Sequence, residues 1–382
     1  MNHSNLSSPE STSRRERFLA AMRDAGATTA IIANARHIYY LTGYLPGERS
    51  PAFLLLHGGQ RPMLVAGAGD SQAAGDVEVH LYEDYSIHHV VDRRRAAARA
   101  LLDAAERFGL ARAGPIGVEL HDLPAFAEPA LGRRKRIDIT PVLRLMRQVK
   151  DADEQQRIRR TAAVTAAGHA AARQAAVPGA TELEVYTAIQ SACVLAAGQP
   201  IAFAGDFVSG ERSWQIGGPP SARQMRDGDL FICDLFPTVD GYWADTTRTF
   251  AIGAPTRAQR ELYDIVAQAL DRGRTALRPG VRASDVYREV RAVIAEAGHA
   301  DRFPHHAGHG IGLDPHEAPM IIPGDDTPLR AGMVVTLEPG IYVEGVGGVR
   351  LEDNYVITAD GAEVIPNYRL GLEPADASLG HT

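Results

Sequence analysis

A chain of 382 residues is long enough for two or three domains, and its 45% hydrophobic and 23% charged residues are typical of globular proteins. The net charge of -7 disfavours nucleic acid as the main partner, because nucleic-acid binding calls for a basic face. No apolar run approaches the ~18 residues of a membrane span, so none is expected.

The N-terminal segment and the two cysteines indicate the cellular compartment in which we expect the protein. Residues 1–13 are rich in Ser and Asn and are predicted to be disordered. They also lack the apolar stretch of a signal peptide. Cys193 and Cys233 provide no disulfide framework, as in proteins of reducing compartments. We therefore expect a cytoplasmic protein.

Residues 14–150 alternate between strand-like and helix-like patterns. A helix is predicted from Arg14 to Arg23, stopped by Gly26. Short apolar runs of the strand type and two helical stretches follow. The predicted strands are Thr29–Ile32, Ala52–Leu56, Met63–Val65 and Val77–Tyr82, and the predicted helices are Arg93–Phe108 and Leu123–Leu131. This alternation predicts an α/β domain.

Residues 151–382 repeat one pattern twice, a pair of helices followed by strands. The predicted helices are Ala152–Ala176, Glu182–Ala197, Ala258–Leu270 and Ala283–Ala297, and the strand regions are Phe203–Phe250 and His305–Ile357. Such an order predicts an α+β domain with a pseudo-two-fold repeat, in which helices flank a central sheet. The candidate site residues divide between the two strand regions, which places a site where the halves meet.

Asp234 and Asp245 are predicted to lie on one hairpin. The dipeptide at 240–241 is Asp-Gly, a strong signal for a two-residue turn between strands. With that turn, Val239 faces Tyr242 and Phe236 faces Asp245, so the two carboxylates share a face. Diagonal neighbours lie roughly 7–8 Å apart at the backbone. That spacing suits side chains that reach toward two metal ions about 3.5–4 Å apart.

Two alternatives remain at this hairpin. Pro237 lacks an N–H donor, so a bulge could change the register. Asp245 could also pair with Arg248, with Asp234 as a turn residue. Against that, Asp234 is flanked by apolar residues, and an unpaired buried carboxylate is costly, which favours a metal ion.

Four histidines lie within twelve residues, interspersed with glycines: His305, His306, His309 and His316. The glycines disfavour a helix and favour a loop or strand whose backbone approaches a ligand closely. One imidazole could bind a metal ion while others support it or contact substrate. The alternative is a set of surface and core histidines without a ligand.

Two further carboxylates follow in strand-like contexts. Glu338 precedes a Pro-Gly turn, and Glu352 shares a face with Arg350, with which it could instead form a salt bridge. Four carboxylates and one imidazole are the ligands of a two-metal hydrolytic centre. An oxygen-rich set favours Mn²⁺, Mg²⁺ or Co²⁺, and one histidine leaves Zn²⁺ possible.

Taken together, these motifs resemble the metal-dependent "pita-bread" peptidases of the M24 family, in the Xaa-Pro dipeptidase (prolidase) and aminopeptidase P branch. The stretch IANARHIYYLTGY resembles a creatinase-type N-terminal domain, and LRLMRQVKD resembles the linker after it. The resemblance implies a creatinase-like domain over 14–150 and a pita-bread catalytic domain over 151–382. The strongest motifs are Asp234-x10-Asp245-x-Thr-Arg-Thr, His305-x3-His309-x6-His316, Leu-Glu338-Pro-Gly and Arg350-x-Glu352.

The resemblance also implies metal ligands. Asp234 would chelate one metal ion, His309 and Glu338 would hold the other, and Asp245 and Glu352 would bridge them. The cofactors would be two divalent ions, Mn²⁺ first, with Co²⁺ or Zn²⁺ as alternatives. A hydroxide bridging the two ions would be the nucleophile.

Further roles follow from the same resemblance. Glu338 would carry the proton of the reaction. His305 and His316 would support catalysis and contact the substrate, and Arg350 would lie close to it. The partner would be a small peptide or amide, and the protein would be a homodimer. We expect no nucleic-acid or membrane partner.

One position departs from the family pattern. Family peptidases usually carry a further substrate-contacting histidine at a position that falls at Gly217 here. Its absence leaves three functions open. The chain could cleave Xaa-Pro dipeptides or N-terminal Xaa-Pro bonds, hydrolyse a non-peptide amide or amidine C–N bond, or be an inactive binding module.

Overall fold

The structure is a computed structural model that describes residues 9–47, 49–70, 76–110, 114–369 and 371–373. The chain forms two compact units, one ending at Arg147 and the other beginning at Gln148. The first helix begins at Pro9 rather than Arg14, so residues 9–13 are helical, and residues 1–8 of the predicted disordered segment lie outside the described residues. Within the described part of the chain, no helix is long and apolar enough to cross a membrane.

The N-terminal unit is built on a six-stranded mixed sheet. The strands are β1 (Thr29–Ile32), β2 (Phe53–His57), β3 (Met63–Gly67), β4 (Glu78–Tyr82), β5 (Ile116–Val118) and β6 (Arg136–Asp138). Their order is β4-β3-β2-β1-β5-β6. β2 runs antiparallel to both its neighbours, and the other pairs are parallel. The four predicted strands are confirmed to within two residues.

Among the described residues, five α-helices accompany this sheet. They are α1 (Pro9–Asp24), α2 (Ala35–Thr42), α3 (Arg93–Arg107), α4 (Glu128–Leu131) and α5 (Thr140–Gln148). The predicted helix Leu123–Leu131 is wrong as one element, because a 3₁₀ turn at Ala125–Ala127 precedes the short α4. Prolines at 124 and 129 supply no N–H donors, which prevents a continuous α-helical ladder.

The C-terminal unit contains the four predicted helices as two pairs. They are α6 (Ala152–Ala175), α7 (Glu182–Ala197), α8 (Arg257–Ala276) and α9 (Ala283–Glu296). Reciprocal capping boxes start α6, α7 and α8. In each, the side chain of the capping residue accepts from the N–H of the third helical residue, whose side chain accepts from the N–H of the capping residue. α8 continues past the predicted end at Leu270 to Ala276, and Gly273 in this last part lets Val290 of α9 pack closely against the helix.

A five-stranded antiparallel sheet follows the first helix pair. Its strands are β7 (Ala202–Ala204), β8 (Phe207–Ser209), β9 (Leu230–Val239), β10 (Tyr242–Trp243) and β11 (Thr246–Ala251). β9 is its centre and pairs with all four others. The core between this sheet and its helices includes Val164, Ile189 and Leu235.

A second five-stranded sheet follows the second helix pair. Its strands, in spatial order, are β13 (Glu317–Met320), β12 (His309–Gly310), β14 (Val334–Leu337), β17 (Asp353–Ile357) and β18 (Ala362–Val364). A separate hairpin joins β15 (Gly340–Val343) to β16 (Gly347–Arg350). Val266, Val290 and Val335 belong to the core of this half. The predicted repeat of helix pair and strands is confirmed.

The hairpin between β9 and β10 has the predicted turn and register. Both residues of the turn 240–241 have positive φ, 50° and 80°, as a type I′ turn requires. Tyr242 pairs with Val239, and Thr246 pairs with Leu235 in the same register. The proline in β9 therefore introduces no shift.

Candidate metal centre

The five predicted ligands converge from separate strands of the C-terminal unit. Asp234 lies within β9, Asp245 precedes β11, His309 begins β12, Glu338 follows β14, and Glu352 lies between β16 and β17. All five are buried, with at most 8% of each residue exposed. Strand ends from both halves thus place polar side chains in one interior site.

Backbone contacts hold the two halves together at this point. The N–H of Glu352 donates to the carbonyl of Thr247 at 3.0 Å. The side-chain amide of Asn354 donates to the carbonyl of Asp245 at 2.8 Å and accepts from the N–H of Asp245 at 3.4 Å. These contacts fix Asp245 and Glu352 relative to each other.

Distances among the predicted ligands are short enough for several of them to hold one metal ion. One ligand atom from each of Asp245, His309 and Glu352 lies within 4.8 Å of the other two. His309 Nε2 lies 3.8 Å from Asp245 Oδ2 and 3.4 Å from Glu338 Oε1. Asp234 lies beside this cluster, where its Oδ2 accepts from Arg350 Nη2 at 2.8 Å.

The donor set fits divalent metal ions. Four buried carboxylate oxygens have no hydrogen-bond donor among the described residues: Asp234 Oδ1, Asp245 Oδ1, Glu338 Oε1 and Glu352 Oε1. Buried charges without partners are costly unless a cation compensates them. Oxygen ligands with a single imidazole suit hard or borderline divalent ions. The uncompensated oxygens are therefore consistent with a metal-binding role.

The protonation of the carboxyls reflects their crowding. Burial raises the pKa of Asp245 and of Glu352 well above the usual range, and neighbouring carboxylates raise both further. Burial also raises the pKa of Glu338 to about 8. The pKa of Asp234 is raised by burial as well, although the Arg350 guanidinium opposes the shift. Without a cation, the cluster therefore favours protonated carboxyls.

His309 is oriented as a ligand. Its Nδ1 lies 2.9 Å from the carbonyl of Gly310, so Nδ1 carries the proton and Nε2 faces the carboxylates with its lone pair. Gly308, at φ 152°, precedes it, and a Cβ there would lie 2.0 Å from the carbonyl oxygen of Thr336. Burial lowers the pKa of His309 well below its usual value, which keeps the ring neutral.

The other histidines have different surroundings. Both nitrogens of His305 are engaged, Nδ1 with the carbonyl of His306 at 2.7 Å and Nε2 with the hydroxyl of Tyr342 at 2.9 Å. His306 Nδ1 lies 3.1 Å from Glu338 Oε1, closer to the carboxylates than the sequence analysis indicated. The ring of His316 lies 4.0 Å from that of His309. Burial lowers the pKa of His305 to about 3.

Arg350 is buried and fully engaged by the protein. A guanidinium has five N–H donors, and five contacts surround this one. The acceptors are Asp206 Oδ2 and Asp234 Oδ2 at 2.8 Å, the Ile216 carbonyl and the Tyr342 hydroxyl at 3.0 Å, and Thr247 Oγ1 at 3.4 Å. The alternative salt bridge from Arg350 to Glu352 is therefore wrong. Arg350 instead positions Asp234.

The alternative partner for Asp245 is wrong as well. Arg248 Nη2 lies 2.6 Å from Asp353 Oδ1, and its other donors contact backbone carbonyls, including that of Glu352. Asp245 therefore keeps its carboxylate for the cluster. The arginine holds the segment that carries Glu352.

Several residues of this site were not predicted from the sequence. Thr247 donates from Oγ1 to Glu352 Oε2 at 2.9 Å, and Asn354 holds the backbone of Asp245. Tyr342 links His305 to Arg350. Thr247 and Asn354 each lie two residues from a predicted ligand, a spacing that places them on the same face of a strand. Asp206 and Tyr342 carried no such signal.

Comparison with protein families identifies two segments. A family model described as "Metallopeptidase family M24" matches residues 156–359. A second, described as "Creatinase/Prolidase N-terminal domain", matches residues 14–149.

Individual proteins of known name are similar over nearly the whole chain. The Xaa-Pro dipeptidase of Pyrococcus horikoshii is 30% identical, over 87% of this chain and 91% of its own. The crystal structure of dipeptidase PepE from Mycobacterium ulcerans is 30% identical, with a TM-score of 0.77 and coverage of 98% and 99%. The Xaa-Pro dipeptidase structure from Bacillus anthracis has a TM-score of 0.83 at 26% identity, covering 95% and 99%.

Proposed function

We propose, from the premise that this chain belongs to metallopeptidase family M24, that it is a two-metal hydrolase that cleaves Xaa-Pro dipeptides or N-terminal Xaa-Pro bonds. The observation that carries the proposal is the buried cluster of four carboxylates and one neutral imidazole, in which one oxygen of each carboxylate accepts no hydrogen bond from the described residues. Relatives named as dipeptidases support the choice of small peptides as substrates.

The ligand assignment is the one that the family resemblance implies, and the closeness of Asp245, His309 and Glu352 supports it. Asp234 would hold one divalent ion, His309 and Glu338 the other, and Asp245 and Glu352 would contribute to both. When bound, such ions lower the pKa of water and polarise a carbonyl group. The oxygen-rich set makes Mn²⁺ our first choice, with Co²⁺ or Zn²⁺ as alternatives.

The chain's own groups supply orientation and proton transfer. Glu338 Oε1 lies within 3.4 Å of both His306 Nδ1 and His309 Nε2, at the edge of the cluster. The resemblance gives Glu338 the role of accepting a proton from water and delivering it to the leaving nitrogen, which requires reach to the nucleophile. His316 and His306 border the cluster and are our candidates for substrate contact. Both nitrogens of His305 and all donors of Arg350 serve the protein, so these two act as positioning residues.

A second candidate function is hydrolysis of a non-peptide amide or amidine. One observation favours it, which is that Gly217 stands where the resemblance leads us to expect a substrate-contacting imidazole. An inactive binding module is disfavoured, because all five ligand positions are filled. A cytoplasmic location and a homodimer stay predictions.

An assay across substrates tests the proposal. Purified protein is depleted with a chelator, reloaded with Mn²⁺, and offered Xaa-Pro dipeptides, longer Xaa-Pro peptides and amidine amides. We expect hydrolysis of at least one proline substrate that the chelator abolishes. Chelator-sensitive hydrolysis of the amidines alone would favour the second candidate function.

A further inference from the structure

We infer that Asp206 determines the charge preference of the substrate pocket, selecting against substrates with a free carboxylate beside the scissile bond. The inference rests on the proposed function and deepens it. Among proline substrates, it favours N-terminal Xaa-Pro bonds of longer or amidated peptides over free Xaa-Pro dipeptides.

Asp206 lies next to the cluster of metal ligands. It occupies the short connection between β7 and β8, and its Oδ2 accepts from Arg350 Nη2 at 2.8 Å. The same nitrogen donates to Asp234 Oδ2 at 2.8 Å. The side chain of Asp206 is 32% exposed, whereas that of Arg350 is 4% exposed. Asp234, Arg350 and Asp206 therefore form a row of contacting charged side chains, and Asp206 is its solvent-accessible end.

Gly217 makes room for this carboxylate. A Cβ built on Gly217 would lie 2.1 Å from Asp206 Oδ2 and 2.4 Å from its carboxyl carbon. The next residue, Gly218, donates its N–H to Asp206 Oδ1 at 2.8 Å. A side chain at position 217 and the observed position of Asp206 therefore exclude each other. The resemblance leads us to expect an imidazole at position 217, and the carboxylate of Asp206 occupies that space instead.

The donors of Arg350 are not available to neutralise a substrate carboxylate here. All five donors of Arg350 have acceptors, and one of these is the carbonyl of Ile216 at 3.0 Å. Ile216 has φ 78°, a costly conformation for a β-branched residue. Such strain is retained only where the surrounding structure enforces it. The loop that contains Gly217 is thus held in a form that keeps Arg350 occupied.

The charges determine which substrates fit. Asp206 adds one negative charge beside the four predicted carboxylate ligands, and it contacts the guanidinium of Arg350. Without Asp206 the site would be more positive by one charge and would attract an anion more strongly. A free Xaa-Pro dipeptide has its carboxylate on the Cα next to the leaving nitrogen, so that group would lie close to the cluster that Asp206 borders. Like charges close together in a partly dry pocket disfavour binding.

Matched substrates and variants test the inference. Ala-Pro and Ala-Pro-amide carry the same ammonium group and differ in charge only at the other end. We expect the Mn²⁺-loaded protein to show a kcat/KM at least about tenfold higher for the amide, and Asp206→Asn to reduce that ratio about tenfold, since specificity is a difference of affinities. Glu211→Gln is the control. It removes an exposed carboxylate paired with Arg223 in the same loop and should leave the ratio unchanged.

A binding measurement separates this inference from the proposed function. Calorimetry with proline and prolinamide on the Mn²⁺-loaded protein should give tighter binding of prolinamide, and the difference should shrink in Asp206→Asn. Failure of the wild type to cleave either peptide would overturn the proposed function, while the ratio of the two affinities would still decide the role of Asp206. A ratio unaffected by Asp206→Asn, in binding or in turnover, would overturn the inference.

Discussion

In two of the four buried carboxylates, one oxygen accepts a hydrogen bond from the protein and the other oxygen has no donor among the described residues. Asp234 is held by Arg350, and Glu352 is held by Thr247. One-sided anchoring of this kind fixes the direction of each carboxylate, as partners of metal ligands typically do. The other oxygen of each of these carboxylates accepts no hydrogen bond from the described residues and is available to a cation.

Replacing Glu352 with Gln tests this arrangement at a single residue. The change keeps the shape and removes one anion, so we expect Mn²⁺ affinity to fall at least about 100-fold, because mutating even an outer partner of a metal ligand typically costs roughly 10–100-fold. In the chelated protein the raised pKa of Glu352 means that folding at neutral pH must either protonate this carboxyl or bury its charge, so replacing it with a neutral amide should raise the free energy of unfolding.

Calorimetric titration with Mn²⁺ and denaturant unfolding measure the two effects. Glu363→Gln is the matched control, since Glu363 is exposed on β18 and pairs with Arg159 at 3.2 Å. Unchanged Mn²⁺ affinity in Glu352→Gln would exclude Glu352 as a ligand.

At the scale of elements, the hairpin between β9 and β10 determines how two ligands meet. Its turn could be predicted because Asp-Gly is one of few dipeptides that tolerate positive φ at both positions. The turn then fixes the register over the whole of β9. A register shift of one residue would turn Asp234 away from the cluster.

Gly241→Ala tests the contribution of this turn. At φ 80° an alanine costs roughly 1–2 kcal/mol, so the free energy of unfolding should fall by about that amount. Gly361→Ala is the control, because Gly361 has ordinary φ and open space around its Cβ. Equal free energies of unfolding for the two variants, measured by denaturant unfolding, would show that a side chain at position 241 does not strain the turn.

Helices, strands and long-range contacts differ in how well they can be predicted from the sequence. The long periodic helix α7 agrees to the residue, and four strands of the N-terminal unit agree to within two residues, whereas the three-residue strands β5 and β6 were not predicted. The helix over 123–131 was wrong because prolines interrupt it. Ligand positions followed local motifs, whereas Asp206 and Tyr342 come close to the cluster only through long-range pairing. Contacts of that kind leave no periodic pattern in one sequence.

At the scale of the whole molecule, the buried carboxylates link stability, pH and metal binding. Their pKa values are higher in the folded chain than in the unfolded one, and that of Glu338 is about 8 against an ordinary 4.5. The folded state therefore binds more protons, so the chelated protein should lose stability as pH rises from about 4.5 to about 8. Metal ions displace those protons, so metal affinity should rise over the same interval.

Titration of the chelated protein with Mn²⁺, by calorimetry at pH 6 and at pH 8, tests the central claim most directly. We predict two ions per chain, tighter binding at pH 8, proton release on binding, and recovery of Xaa-Pro hydrolysis in step with occupancy. Absence of Mn²⁺ binding at either pH, or full hydrolysis by the chelated protein, would contradict a two-metal centre formed by these five residues.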